Sequence, residues 1–193
     1  FFSSFNVIKN KNKKLIWFHT ASIGELKSII PLVKKLNKAD QFEFLITTVT
    51  LSSAKLLAKE LSGKKNIIHR FFPIDKNNLV KKFLSKWSPN LIIFVDSEIW
   101  PNFLLEINNK KIPLILLNAR ITKKSFLRWN FISKTAERIF QTFDLCIPSS
   151  QESKKYLEKL KVKKIKYFGN LKLTSENNLN TVNNKILSNN KFW

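Results

Sequence analysis

Short, solidly apolar runs alternate with helical stripes along this chain. The runs are LIWFH at 15–19, FEFLITTV at 42–49, NIIHRFF at 66–72, NLIIFVD at 90–96, PLILLNA at 113–119, FDLCIP at 143–148 and KIKYFG at 164–169. Uniformly apolar runs of this length read as parallel strands covered on both faces. Between them lie helical patterns near 24–37, 51–61, 76–87, 100–110, 124–140 and 150–160. In the first of these, Leu26, Ile29, Ile30, Val33 and Leu36 fall on one stripe at spacings of three and four. Pro31 sits inside that stripe and predicts an interruption or kink. Seven strands and six helices in strict alternation predict an α/β fold: a Rossmann-like, doubly wound parallel sheet with helices on both faces. No internal repeat is evident. The pattern predicts one domain over 1–172 and an Asn-rich polar linker over 173–193.

Open sheets of this kind bind ligands outside the carboxyl ends of their strands. Three junctions there carry chemistry: His19 to Glu25, Asp96 to Asn102, and Asn118 to Ser125. Together they predict Glu25, Glu98 and Arg120 on one rim. Two readings stand for Glu25. Ser22-x-x-Glu25 is a capping-box pattern, in which the acid closes a helix N-terminus. Gly24 points the other way, because a glycine admits a ligand close to the backbone, and a glutamate presented there suits a general base. Glu98 precedes Pro101 and also reads as a helix-start acid. Arg120 is one of few arginines, and its fork of donors suits phosphate or carboxylate. Its bland alternative is a surface ion pair. His19 and His69 read as structural histidines, and neither has the partners a metal site needs.

Charge changes this picture. The chain carries 35 Lys+Arg against 13 Asp+Glu, a formal net charge of +22. A surface so basic attracts nucleic acid, anionic lipid or phosphorylated sugars. Arginine is confined to Arg70, Arg120, Arg128 and Arg138 while Lys, Asn and Ile abound, a bias that nucleotide composition also produces. A solvated lysine surface therefore stands beside a polyanion-binding one. No nucleic-acid motif and no Arg-rich reading helix appears, so nucleic acid is not the expected partner. The single cysteine, Cys146, lies in an apolar run and excludes an internal disulfide, which suits a reducing compartment. No run approaches the roughly 20 apolar residues of a membrane span, and the opening residues show no signal-peptide pattern.

HTASIGE, SEIWPN, NARITKKS and GNLK occur in that order between residues 19 and 172. These segments resemble the N-terminal half of the 3-deoxy-D-manno-octulosonic acid (Kdo) transferases. The resemblance implies the N-terminal, acceptor-side domain of a GT-B glycosyltransferase, two Rossmann-like domains facing across a cleft. It implies transfer of Kdo from CMP-Kdo to the lipid A precursor, at the cytoplasmic face of the bacterial inner membrane. By similarity Glu25 is the base, and Ser22, Gly24, Glu98, Arg120 and Lys172 contact substrate. No metal or other cofactor is implied. Ile23, Ile99 and Ile121 depart mildly from the family pattern, and Lys124 stands where the family has arginine. The donor-binding domain would lie beyond these residues, so the chain alone is expected not to catalyse transfer. The alternatives are another GT-B glycosyltransferase, or a non-catalytic basic module that binds polyanions.

Overall fold

The computed structural model describes residues 12–170. The predicted linker at 173–193 and Lys172 lie outside the described residues. The first apolar run forms β1 (Lys14–His19). Its side chains alternate, as a strand requires: Leu15 and Trp17 enter one core, Ile16 and Phe18 the other. Both faces are thus buried, which is why Leu15 to Phe18 are all apolar.

Five further strands follow, β2 (Phe42–Thr48), β3 (Ile67–Phe71), β4 (Leu91–Val95), β5 (Leu114–Ala119) and β6 (Leu145–Pro148). They form one parallel sheet in the order β3-β2-β1-β4-β5-β6. The helices between them are α1 (Ile23–Leu36), α2 (Leu51–Glu60), α3 (Asn77–Trp87), α4 (Pro101–Asn109), α5 (Lys123–Phe131), α6 (Ser133–Phe140) and α7 (Gln151–Lys159). Leu26, Ile29, Ile30 and Val33 of α1 and Leu57 of α2 pack on the Ile16–Phe18 side. Val80 and Leu84 of α3, Phe103 and Leu104 of α4, Ala136 and Ile139 of α6 and Leu157 of α7 pack on the Trp17 side. The chain runs outward from β1 to β3, then returns to β4 beside β1 and runs the other way. The topological switch point therefore falls between β1 and β4, where His19 pairs with Phe94.

Three expectations are corrected. The run at 164–169 is not a strand: it touches the sheet at a single parallel bridge, Ile165 to Cys146. Lys163, Lys164, Tyr167 and Phe168 around it are exposed, so little apolar surface rewards extending the ladder. The helical pattern at 124–140 divides into α5 and α6 at Ile132, whose φ of −113° and ψ of 48° leave the helical region. Finally, α1 runs through Pro31 without interruption. The hydrogen bond that proline removes would have reached the carbonyl of Lys27, on an exposed turn.

Candidate functional site at the topological switch point

The turn after β1 builds the first half of the site. Ser22 has extended backbone and caps α1, its hydroxyl oxygen accepting the Glu25 N–H at 3.2 Å. The same hydroxyl donates to Glu25 Oε1 at 2.8 Å, and the Ala21 N–H donates to Oε2 at 2.7 Å. Glu25 is only 8% exposed. The capping arrangement is thus formed, and it holds the carboxylate in one orientation at the positive end of the helix. Burial raises the Glu25 pKa above the ordinary glutamate range, against the lowering effect of the Ala21 and Ser22 hydrogen bonds. The charges of Glu98 and Asp96 raise it further. Beside it, Thr20 is fully buried and its hydroxyl has no hydrogen-bond partner among the described residues.

Gly24 is exposed and has no left-handed backbone angle. A Cβ placed there would meet nothing nearer than the Ser22 hydroxyl oxygen at 4.0 Å. The fold of the chain does not itself require a glycine here.

The loop after β4 supplies the second half. Glu98 Oε2 accepts from His19 Nε2 at 3.1 Å and from the Trp100 indole N–H at 2.7 Å. His19 is fully buried, stacked on Phe72 with ring centres 3.7 Å apart. Its Nδ1 lies 3.0 Å from the Thr47 hydroxyl, which also accepts the Trp17 indole N–H at 2.9 Å. These partners assign one arrangement for a neutral ring. Trp17 donates to Thr47, Thr47 donates to His19 Nδ1, and the Nε2 proton points at Glu98. A chain of buried groups thus fixes Glu98 across the switch point from Glu25.

Arg120 follows β5 on the same rim, exposed, with no side-chain partner among the described residues. Its backbone is laced to the β4 loop: its N–H donates to the Asp96 carbonyl at 3.1 Å, and its carbonyl accepts from the Ser97 hydroxyl at 3.0 Å. Glu25, Glu98 and Arg120 therefore follow three neighbouring strands at one edge. Lys172 lies outside the described residues. His69 bonds the Thr48 hydroxyl at 2.9 Å within the sheet, a structural role. No group of three His, Cys, Asp or Glu side chains that could hold a metal occurs among the described residues.

Sequence reasoning missed two supports of this rim. Asp96 and Asn118 end β4 and β5 with positive φ, 62° and 55°, and Asn118 Nδ2 donates to Asp96 Oδ1 at 2.6 Å. Asn and Asp tolerate the left-handed region better than other side chains do, and each closes an apolar run, which is the signal available in the sequence. The other is Asp75. Its carboxylate accepts the backbone N–H groups of Asn102 at 3.1 Å and Phe103 at 3.0 Å, capping α4 from a loop 27 residues upstream of Asn102. The Asn102 side chain returns a bond to the Asp75 carbonyl at 2.7 Å.

A parallel sheet in this order, with helices on both faces and a switch point between β1 and β4, defines a Rossmann-like α/β fold. Solved structures show the same fold. A UDP-GlcNAc 2-epimerase from Neisseria meningitidis bound to UDP-GlcNAc matches 84% of this chain and 48% of its own, with TM-score 0.58 at 15% identity. Alr3699/HepE of Anabaena, in complex with UDP and glucose, matches 81% of this chain and 44% of its own, with TM-score 0.54 at 16% identity. Residues 1–175 match the family described as 3-deoxy-D-manno-octulosonic-acid transferase (kdotransferase), and the chain belongs to that family. Among curated relatives, the 3-deoxy-D-manno-octulosonic acid transferase of Rickettsia typhi is 37% identical over 91% of this chain and 37% of its own length. That of Rickettsia felis is 36% identical over 85% of this chain and 35% of its own. A probable mitochondrial homologue from Arabidopsis thaliana is 34% identical over 70% of this chain. The chain thus spans little more than a third of the length of these bacterial relatives.

Proposed function

We propose that this chain is the acceptor half of a Kdo transferase, acting with a donor-binding half that holds CMP-Kdo. Glu25 takes the proton from a glucosamine hydroxyl of the lipid A precursor as that oxygen attacks the anomeric carbon of Kdo. The bond to CMP breaks in the same displacement, CMP leaves with the electron pair, and the anomeric configuration inverts. The observation that carries this reading is the pair of acids on opposite sides of the switch point, buried Glu25 after β1 and partly buried Glu98 after β4. A carboxylate with a raised pKa is a stronger base, and Glu25 is raised by burial first. Glu98, fixed by His19 and Trp100, orients the sugar. Arg120 supplies an exposed guanidinium for an anionic group of the substrate. Exposed Gly24 lets the acceptor approach the N-terminus of α1. No metal or cofactor enters this reading. A phosphorylated lipid acceptor places the protein at the anionic cytoplasmic face of the inner membrane, where its net charge of +22 favours it.

The test joins this chain to the donor-binding half of a rickettsial relative and supplies CMP-Kdo with the lipid A precursor. Mass spectrometry should detect the Kdo-bearing lipid. Transfer only from a different nucleotide sugar would make it another glycosyltransferase. No transfer, with tight salt-sensitive binding to nucleic acid, would make it a polyanion-binding module.

A further inference from the structure

The register of β1 on β2 pairs His19 with Thr47. Trp17 stands two positions before His19, on the same face of the sheet. That placement puts one hydroxyl between two rings. Thr47 Oγ1 accepts the Trp17 indole N–H at 2.9 Å and lies 3.0 Å from His19 Nδ1. All three residues are fully buried. An indole nitrogen only donates, so the Thr47 proton is left for another acceptor. The Phe18 carbonyl lies farther off than Nδ1, at 3.4 Å. A proton on Nδ1 would find only oxygens that already accept. One is Oγ1 itself, and the other is the Thr47 carbonyl at 3.3 Å, which takes the Thr20 N–H at 3.0 Å. On the far side of the ring, a bare Nε2 would face Glu98 Oε2 at 3.1 Å, acceptor against acceptor. Each end therefore favours the proton on Nε2. The Trp100 indole N–H binds the same carboxylate oxygen at 2.7 Å. Both protein donors thus fall on Oε2, and Glu98 Oε1 has no hydrogen-bond partner among the described residues.

We propose that Thr47 is a positioning residue for the transfer reaction: its hydroxyl, held by the Trp17 indole, sets the His19 tautomer and so anchors Glu98 by Oε2, with Oε1 left to accept from a sugar hydroxyl. The tautomer stands on the geometry alone; the use of Oε1 rests on the transferase reading. Thr47 lies inside the sheet and acts on the rim only through His19. Without the hydroxyl, Nδ1 loses its donor and the residue-47 carbonyl becomes its nearest partner, which favours a proton on Nδ1. Glu98 then meets either a bare Nε2 or a doubly protonated ring. The first pushes Oε2 away. The second cancels the Glu98 charge that helps raise the Glu25 pKa. Sugar orientation suffers in one case and base strength in the other.

The test reads the ring nitrogens directly, by two-bond proton–nitrogen NMR correlation on the isotope-labelled 193-residue chain. The chain has two histidines, and His69→Gln assigns their signals. His19 should show a protonated Nε2 and an unprotonated Nδ1 at neutral pH. Thr47→Val keeps the branched shape that a strand favours and should move Nδ1 toward the protonated range. Thr47→Ser should restore the original pattern. In the joined enzyme, Thr47→Val should lower kcat by about 10- to 100-fold, as displaced reacting groups do, while KM for CMP-Kdo stays within about twofold because the other half holds that donor. Thr47→Ser should recover most of that loss. Circular dichroism checks that both variants fold. A protonated Nδ1 in the unchanged chain would overturn the proposal whatever the variants do. So would a folded Thr47→Val that keeps both the pattern and the turnover. A Thr47→Ser that loses as much turnover as Thr47→Val would also overturn it, since packing and not the hydroxyl would then matter. An unchanged joined enzyme that makes no Kdo product would count against the transferase reading alone, because the nitrogen spectra judge Thr47 without it.

Discussion

Glu25→Gln separates the two roles that the structure gives one side chain. The amide keeps the shape. Its oxygen can accept the Ala21 N–H, now bonded at 2.7 Å, and its nitrogen can donate to the Ser22 hydroxyl oxygen, now 2.8 Å from Oε1. Ser22 is exposed, so its own proton can turn to water. What is lost is the charge-assisted part of those bonds and the favourable meeting of a carboxylate with the helix dipole. That loss is about 0.5–1 kcal/mol, offset by relief from burying a charge near Glu98 and Asp96. Net stability should therefore change by less than about 1 kcal/mol at neutral pH. Glu25→Ala, by contrast, leaves the Ala21 N–H without its partner and should cost about 1–3 kcal/mol. Urea denaturation of this chain measures both. The sign of the pH effect follows from the raised pKa. The unfolded chain releases this proton first, so the stability linked to Glu25 is complete at low pH. It falls as pH rises from the ordinary glutamate range through the higher folded value. Glu25→Gln should flatten that segment of the stability profile. In the joined enzyme the same change should lower kcat by about 10²–10⁴-fold, the usual worth of a general base. A variant that folds normally and keeps turnover within a few-fold would refute the base assignment and leave Glu25 as a cap. A loss of more than about 3 kcal/mol in Glu25→Gln would refute the hydrogen-bond reasoning instead.

Further outcomes follow from the same geometry. Gly24→Ala meets no clash and no left-handed backbone. It should stabilise the chain by up to about 1 kcal/mol in a urea melt, while raising KM for the lipid acceptor in the joined enzyme. Asp75→Ala uncaps α4 and should cost about 1–2 kcal/mol, measured the same way. His19→Ala removes a stacked, fully buried ring and one of the two donors to Glu98. It should cost about 2–4 kcal/mol and lower kcat, whereas Trp100→Phe, which removes only the other donor, should lower kcat with a smaller stability loss. Burial pushes the Cys146 thiol up beyond the ordinary thiol range. It should resist iodoacetamide in the native protein and react only as the chain unfolds, which hydrogen-exchange-style labelling over a denaturant series would show.

The sequence by itself determined what depends on neighbours in the chain. The apolar runs marked the six strands because residues buried on both sheet faces are mostly apolar. Ser22 and Glu25 stand three apart, so the Ser22 cap on the Glu25 N–H was legible from spacing, while the carboxylate returns to the Ala21 N–H and the Ser22 hydroxyl instead of the Ser22 N–H. Alternation of strand and helix was enough to place Glu25, Glu98 and Arg120 after the carboxyl ends of strands. Local pattern failed where exposure decided the outcome: the run at 164–169 has strand-like residues but little core to cover, and Ile132 breaks a helix that periodicity alone would continue.

The tertiary structure decided which strand ends meet. Strand order sets β4 beside β1, and only then does Glu98 reach His19, 79 positions away in the chain. The pairing of β4 with β5 brings Asn118 onto Asp96, and the loop between β3 and α3 carries Asp75 to the start of α4. Each contact joins groups whose local sequence says nothing of the other. Where the groups are buried, as Asn118 and Asp96 are, the sheet excludes water and leaves them one another as partners.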